Sequence, residues 1–498
     1  MEAPKRRITD RHTKQTVCVW GFFLLFSMLA AAIGSPDSPF THNGLYHCDT
    51  SWFMDGGRWL MQGYTPYVDF ADSKGPLLWL FYGLGYLLDK DGWSGMFVLY
   101  ALYYAWVYVY IYKAAKEMLG SGRWAVCAAM FMPYFYMCLA HYENRTEDLF
   151  QLPLAYMIYL AVKALKGRQI SGTAFFVSGL WIGAMLFVKW SFPAMLIPPA
   201  FVILIYGSRR GDDVKPHSFL RRILKNAGIG LSGVFAVVAV AAVWMSAAGA
   251  FGAMIQEYFL NTALTVSNSG GTSAGEIIRN LGLIFQKKSL IALCICTPIV
   301  GLRLFGPKGL WLTAAAVWII FISSIHYIDY YSHAAASFGI FVPIAGCLLL
   351  MKRIRLKLWA MGVEPVAVCI MLFYYSAKHD NFGSNGHSDG YDAMCDRVAS
   401  LERPRILYRA FNCGLGIKSG ATPPCRYWSI QFGATQEMEE EMQAAMKEHT
   451  ADIVVTEADN FEPEIYGYTT DESDVFPHSY PDFGNLRIHW SPKVENVP

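Results

Sequence analysis

Apolar runs long enough to cross a lipid bilayer recur along this 498-residue chain, and no other feature narrows its fold as far. Crossing about 30 Å of hydrocarbon takes roughly 20 mostly apolar residues per helix. About eleven such stretches begin near Thr16, Ser94, Gly122, Glu147, Gly172, Ser191, Ala227, Ser289, Gly309, Ser332 and Lys357. Inside lipid, an isolated segment satisfies its backbone only as a helix. The expected fold is therefore a polytopic α-helical membrane protein. Charge content agrees: 16% of residues are charged, where soluble domains carry about a quarter. With 41 basic and 39 acidic residues there is no cationic surplus, and no nucleic-acid partner is expected. The eleven cysteines contain no C-x-x-C pair, so neither a zinc nor a redox framework is indicated. The first stretch is followed by no clear small-x-small cleavage site, and it reads as a retained span rather than a signal peptide.

Basic residues orient the spans. If Met1 is cytoplasmic and each span crosses once, the inner segments hold 23 Lys and Arg, and the outer segments before the tail hold eight. That asymmetry is the positive-inside pattern. Counting Gly75–Leu88 as a full span would invert it, so this stretch reads as an interfacial or re-entrant helix. The expected division is a membrane domain over 1–375, with a first outer loop over 35–93 that includes interfacial helices, and a small outer α/β domain over 376–498. In the tail, Arg405–Tyr408 and Asp452–Thr456 read as strands. The intervening TQEMEEEMQAAMKEH reads as a helix with Met438, Met442 and Met446 on its packed face. Cys395, Cys413 and Cys425 would face an oxidising compartment, where one disulfide and free buried thiols are equally expected. The localisation expected is the inner or plasma membrane, multi-pass, with a cytoplasmic N-terminus.

The first outer loop concentrates Asp49, Asp55, Asp69, Asp72 and Lys74 among aromatic residues that favour the membrane interface. Polar groups held there are costly unless they serve a site. Asp55 taken alone reads equally as a solvated loop residue. Asp69 and Asp72 form a loose D-x-x-D, a spacing too common to assign a metal, so no cofactor is identified and a divalent ion stays open.

From Cys48 to Leu78 the chain carries Asp-x-x-x-Phe and then G-x-x-P-Y-x-D-F-x-D-x-K-G-P-L-L. This resembles the first periplasmic loop of GT-C glycosyltransferases, nearest to bacterial protein O-mannosyltransferases and aminoarabinose transferases. HYENRTEDLFQLPLAY (141–156) resembles the family's second loop, GLWIGAMLFVKWSFPAM its glycine-rich helix ending in a lysine, and YIDYYSHAAASFGIFVP its later Tyr-x-His-Tyr segment. The resemblance implies a GT-C fold of about eleven transmembrane helices plus interfacial helices, with the small C-terminal outer domain. It implies a hexosyl- or pentosyltransferase that uses a polyprenyl-phosphate-linked sugar, with a glycan, lipid or protein acceptor at the outer face and inversion at the sugar.

Such chemistry needs a base for the acceptor proton and cations for the departing phosphate. Asp49, which opens the matched motif, is the expected general base. Lys74 and Lys189 are the expected phosphate ligands; Lys189 reads alternatively as snorkelling to the interface. Asp72 is expected either to hold acceptor or position Lys74, or to cap the helix that starts near Gly75. Glu147 and Asp148 are expected to contact sugar or acceptor, although carboxylates also suit a helix N-terminus. Arg145 departs from the family's small or apolar residue and is expected to meet phosphate or pair with Glu143. Tyr330 and His333 are expected at the donor phosphate or as structural residues, with Asp329 orienting His333 or ending a helix. Residues 267–276, SNSGGTSAGE, read as a lid or as a disordered connector. Two other functions compete: a flippase or transporter of lipid-linked sugars, disfavoured because charge gathers in loops rather than mid-span, and an O-antigen ligase or polymerase, disfavoured by the KGP loop.

Overall fold

A computed structural model describes residues 3–35, 38–39, 48–90, 93–140, 145–209, 216–268, 273–325, 329–351, 360–378, 395–410, 414–429, 434–457, 463–477 and 485–494. The chain begins with α1 (Ala3–Gly34), α2 (Cys48–Met61), α3 (Pro76–Leu88), α4 (Trp93–Leu119), α5 (Gly122–Met130) and α6 (Met132–Ala140). It continues with α7 (Thr146–Leu165), α8 (Gly172–Leu186), α9 (Phe192–Gly207) and α10 (Pro216–Ala247). Apolar residues cover every face of α7, so it is the helix that gains most from a central place. It is almost wholly buried, between α4 and α9.

Among the described residues, six helical segments are long and apolar enough to span a bilayer: Thr16–Gly34, Ser94–Leu119, Thr146–Leu165, His217–Ala247, Lys288–Ile325 and Tyr331–Leu350. Several expected spans differ in form. The stretch from Gly122 is broken at Phe131, because Pro133 has no N–H to give and its ring crowds the preceding turn. Lys288–Phe305 and Leu310–Ile325 are two helices joined by the turn Gly306–Gly309 and packed back on each other. Gly306 has φ +62°, and the Gly301 and Gly309 backbones touch where a side chain would clash. The stretch from Ser332 begins as the 3-10 segment Asp329–Ile340 before it becomes the α-helix Phe341–Leu350. That tighter winding tucks Gly339 against the Phe135 ring, a place no Cβ could occupy. On the outside of the bundle α10 packs on α8 through glycines, and a Cβ on Gly179 would lie 1.8 Å from the Gly230 carbonyl. Small residues permit this approach where lipid supplies no hydrophobic drive between helices.

The long connection 247–288 is mostly helical. It contains a π-helical turn, Ile255–Asn261, and the helix Ala274–Ile284, whose N-terminus carries a Ser273/Glu276 capping box. Residues 269–272 of the expected lid or connector lie outside the described residues.

The C-terminal part forms a four-stranded sheet of β1 (Ile406–Arg409), β2 (Ile453–Glu457), β3 (Val475–Pro477) and β4 (Asn485–Trp490), in the order β1-β2-β4-β3. β1 and β2 are parallel, from Ile406 opposite Ile453 to Arg409 opposite Thr456, and β4 runs antiparallel to both neighbours. A parallel pair needs a crossover, which includes the helix Gln436–Lys447. Met438, Met442 and Met446 are buried there against Leu407, Tyr427, Val454 and Tyr468, as their spacing predicts. Cys413 lies outside the described residues; Cys425 is a thiol, and burial pushes its pKa up to about 12.

Candidate active site

Four segments meet at the end of the bundle that faces the C-terminal sheet. The first is the loop from Tyr67 to Gly75 that leads into α3. The Gly75 and Leu77 N–H groups donate to the Val188 and Phe187 carbonyls at 3.1 and 3.0 Å, which fastens the KGP segment to the turn that ends α8. A Cβ on Gly75 would fall 2.0 Å from the Phe187 oxygen, so only glycine permits the contact. Lys74 and Lys189, distant in sequence, therefore stand on two segments joined by main-chain bonds.

Lys189 is held on several sides. Its ammonium donates to Glu147 Oε1 at 2.7 Å and lies 3.9 Å from the centre of the Tyr331 ring. Burial, the largest single influence, would lower its pKa; the charge and hydrogen bond of Glu147 and the further field of Asp49 are among the effects that together outweigh it, and the amine stays charged. Thr146 Oγ1 donates to the other Glu147 oxygen at 2.7 Å. The next residue, Asp148, accepts from the Arg145 main-chain N–H at 2.7 Å, from the Tyr104 hydroxyl of α4, and faces His333 Nε2 at 2.9 Å. The N-terminus of α7 thus carries two buried carboxylates, one turned to Lys189 and the other to His333.

A polar ladder continues below His333. Gln151 Nε2 donates to the His333 carbonyl at 2.9 Å, and Gln151 Oε1 accepts from the Ser337 N–H and hydroxyl at 3.1 and 2.8 Å. Ser337 Oγ and the Tyr136 hydroxyl are 3.1 Å apart. The ladder is satisfied except at His333 Nδ1, which is buried without a hydrogen-bond partner among the described residues; networks of this kind favour one arrangement of a buried segment.

Most of the expected site residues converge. Lys189, Glu147, Asp148 and His333 form one cluster, and Asp49, half-buried in the first turn of α2, contributes to the field at Lys189. Lys74 is partly exposed, with its ammonium 4.0 Å from Asp72 and 5.6 Å from the centre of the Phe53 ring. Asp72 accepts from the Ser73 N–H and hydroxyl. The cap expected of it on α3 is not made: Gly75 occupies the N-cap position with no side-chain bond. The carboxylate on His333 is Asp148, and the Asp329 and Tyr330 side chains, like Glu143, lie outside the described residues. Asp69 accepts from the Thr65 N–H on an exposed turn.

Asp55 is not solvated. It is fully buried and lies 2.8 Å from Arg58, whose guanidinium also donates to the Ala421 carbonyl of the C-terminal part. Trp59 Nε1 donates to the same carbonyl at 2.8 Å, and Trp428 packs edge-on against Trp52 and Trp59. This seam clamps α2, with Asp49 at its start, to the C-terminal sheet. Arg58→Ala removes the charged partner of a buried carboxylate, and an unfolding free energy lower by about 3 kcal/mol is expected. The measurement is the detergent thermal midpoint, with earlier proteolytic release of the C-terminal part.

Sequence reasoning missed Tyr104, Tyr331, Gln151 and Ser337. Gln151 carried a usable signal, a lone amide within an apolar span. The tyrosines carried none, because aromatic residues are abundant throughout the chain.

Residues 73–245 match the family model described as dolichyl-phosphate-mannose-protein mannosyltransferase. The solved structure of ArnT from Cupriavidus metallidurans, bound to undecaprenyl phosphate, superposes with a TM-score of 0.59 at 12% identity, covering 97% of this chain and 99% of that one. The chain has the GT-C glycosyltransferase fold. The GT-C oligosaccharyltransferase AglB from Archaeoglobus fulgidus, in complex with an inhibitory peptide and dolichol phosphate, matches with a TM-score of 0.50 at 12% identity, over 89% of this chain and 69% of that one. No curated protein matches by sequence. The glycosyltransferase class is common to the family model and both structures, and the GT-C architecture makes this a multi-pass membrane protein.

Proposed function

We propose that this protein transfers a sugar from a polyprenyl-phosphate-linked donor to a glycan, lipid or protein acceptor at the outer face of the inner or plasma membrane. In this reading the N-terminus is cytoplasmic and residues 376–498 form an outer domain over the site. The observation that carries it is the pairing of the Lys74 and Lys189 segments by main-chain bonds, beside the carboxylates Asp49, Asp72 and Glu147.

Asp49 takes the proton from the acceptor nucleophile as that atom attacks the anomeric carbon. The bond from that carbon to the phosphate oxygen breaks on the opposite face, and its electron pair leaves with the polyprenyl phosphate. A single displacement of this kind inverts the anomeric centre, and one carboxylate suffices for it. Lys74 and Lys189 bear the growing phosphate charge, in surroundings where water screens little. Glu147 aims Lys189, and Asp148 orients His333, while Arg145 and Tyr330 are the further candidates for contact with the donor phosphate. Asp72 holds Lys74 or meets the acceptor.

The test is to incubate purified protein in nanodiscs with labelled polyprenyl-phosphate sugars of hexose and pentose type and with membrane extracts as acceptor. A labelled product with inverted anomeric configuration is expected for one sugar class. Movement of the lipid across vesicles with no glycosidic product overturns the reading.

A further inference from the structure

Glu257 and Tyr258, neighbours on the π-helical turn Ile255–Asn261, are both buried and take no part in the roles given above. We propose that they are positioning residues that fix the spacing between Lys74 and Lys189, and through it the affinity for the phosphate of a polyprenyl-phosphate lipid. The proposal rests on the reading of those two lysines as phosphate ligands.

Glu257 secures one flank of the Lys74 segment through the C-terminal part. Its two carboxylate oxygens accept from the Tyr427 hydroxyl at 2.8 Å, while Arg426 Nη1 donates at 3.0 Å and Asn261 Nδ2 at 2.8 Å. The Arg426 carbonyl in turn accepts from the Ala71 N–H at 2.8 Å, three residues before Lys74. Arg426 is itself fixed by Glu437 and Glu441 on the helix Gln436–Lys447, at 2.9 Å each. A carboxylate ringed by donors in a desolvated seam is a stiff anchor.

Tyr258 secures the other flank. Its hydroxyl donates to the Leu186 carbonyl at 2.6 Å, three residues before Lys189. Its ring lies 6.3 Å from that of Tyr67, whose hydroxyl donates to the Lys74 carbonyl at 2.7 Å. One turn of chain therefore touches the approach to both lysines, one by way of Arg426 and Ala71, the other by way of Leu186 and Tyr67. A π-helical turn, which inserts a residue into the α-helical register, recurs at functional sites in proteins.

The experiment measures binding of undecaprenyl phosphate to the full chain in nanodiscs, without turnover, for the wild type, Glu257→Gln, Tyr258→Phe, Lys74→Ala and Lys189→Ala. Glu257→Gln and Tyr258→Phe are each expected to weaken binding about tenfold, the equivalent of one lost or weakened buried bond. In turnover, the donor KM rises by a similar factor while kcat stays within about twofold, the split expected when binding is weakened equally in the ground and transition states. Tyr67→Phe combined with Tyr258→Phe is expected to be less than additive, because both act on one spacing. Wild-type affinity in Glu257→Gln and Tyr258→Phe, alongside weak binding by the lysine variants, overturns the positioning role and leaves the lysine reading standing. Unchanged binding by both lysine variants overturns that reading, and this inference with it. A fall in kcat at constant KM also overturns the proposal. If Glu257→Gln does not fold, Tyr258→Phe, which removes a single oxygen, decides alone.

Discussion

Asp49→Asn is expected to lower sugar transfer about a thousandfold while the fold and lipid binding survive, since a positioned general base contributes roughly a hundred- to ten-thousandfold. Asparagine keeps the size of the side chain and remains acceptable in the first turn of α2. What it removes is the capacity to take a proton from the acceptor. Asp49 lies near enough to Lys189 to add to the field there, so in the proposed reading the base and the phosphate ligands share one site. The measurement is the initial rate of labelled-sugar transfer, with the thermal midpoint and undecaprenyl phosphate affinity as controls. Transfer at the wild-type rate would show that another group accepts the proton.

Lys189→Met is expected to lower stability by about 3–5 kcal/mol, because it leaves the Glu147 carboxyl group buried without its ammonium partner. Methionine fills much of the lysine stem volume, so the loss reports charge rather than packing. The double variant Lys189→Met/Glu147→Gln removes both charges together and is expected to recover most of that stability, as replacement of whole buried pairs does elsewhere. It is not expected to recover transfer, which needs the cation itself. Thermal unfolding of the three proteins and their transfer rates make the comparison. A double variant that is both stable and active would mean that the pair only supports the fold and that the donor phosphate is held elsewhere.

Much of the candidate cluster was legible in the chain because it lies in short polar interruptions of apolar runs. Lys74, Glu147, Asp148, Lys189 and His333 each stand out there, and each has a place in or beside the cluster. Their partners were not legible. Asp148 meets a histidine 185 residues away and Glu147 a lysine 42 residues away, and no local periodicity encodes such meetings. Asp55 misled for the same reason. Its neighbours in sequence suggest a loop at the membrane surface, while Gly416, more than 360 residues later, packs against its carboxylate and Ala421 holds its partner Arg58.

Glu257 shows the limit most clearly. In sequence it is an isolated acid in the connection 247–288, and in the fold it is the point where a π-helical turn, the C-terminal part and the Lys74 segment are tied together.

The sequence by itself determined the helical membrane architecture and its small α/β appendage. Lipid compels each crossing segment to satisfy its own backbone, and that requirement is local and is written into every apolar run. The methionine stripe of the helix Gln436–Lys447 was readable for a similar reason, since its period belongs to one element. Tertiary structure alone decided which charges face one another, where apolar runs break into 3-10 and π turns, and how the C-terminal sheet clamps α2. Those outcomes depend on burial and on long-range ion pairs, whose energy arises only once distant segments have closed on each other and water has been excluded from between them.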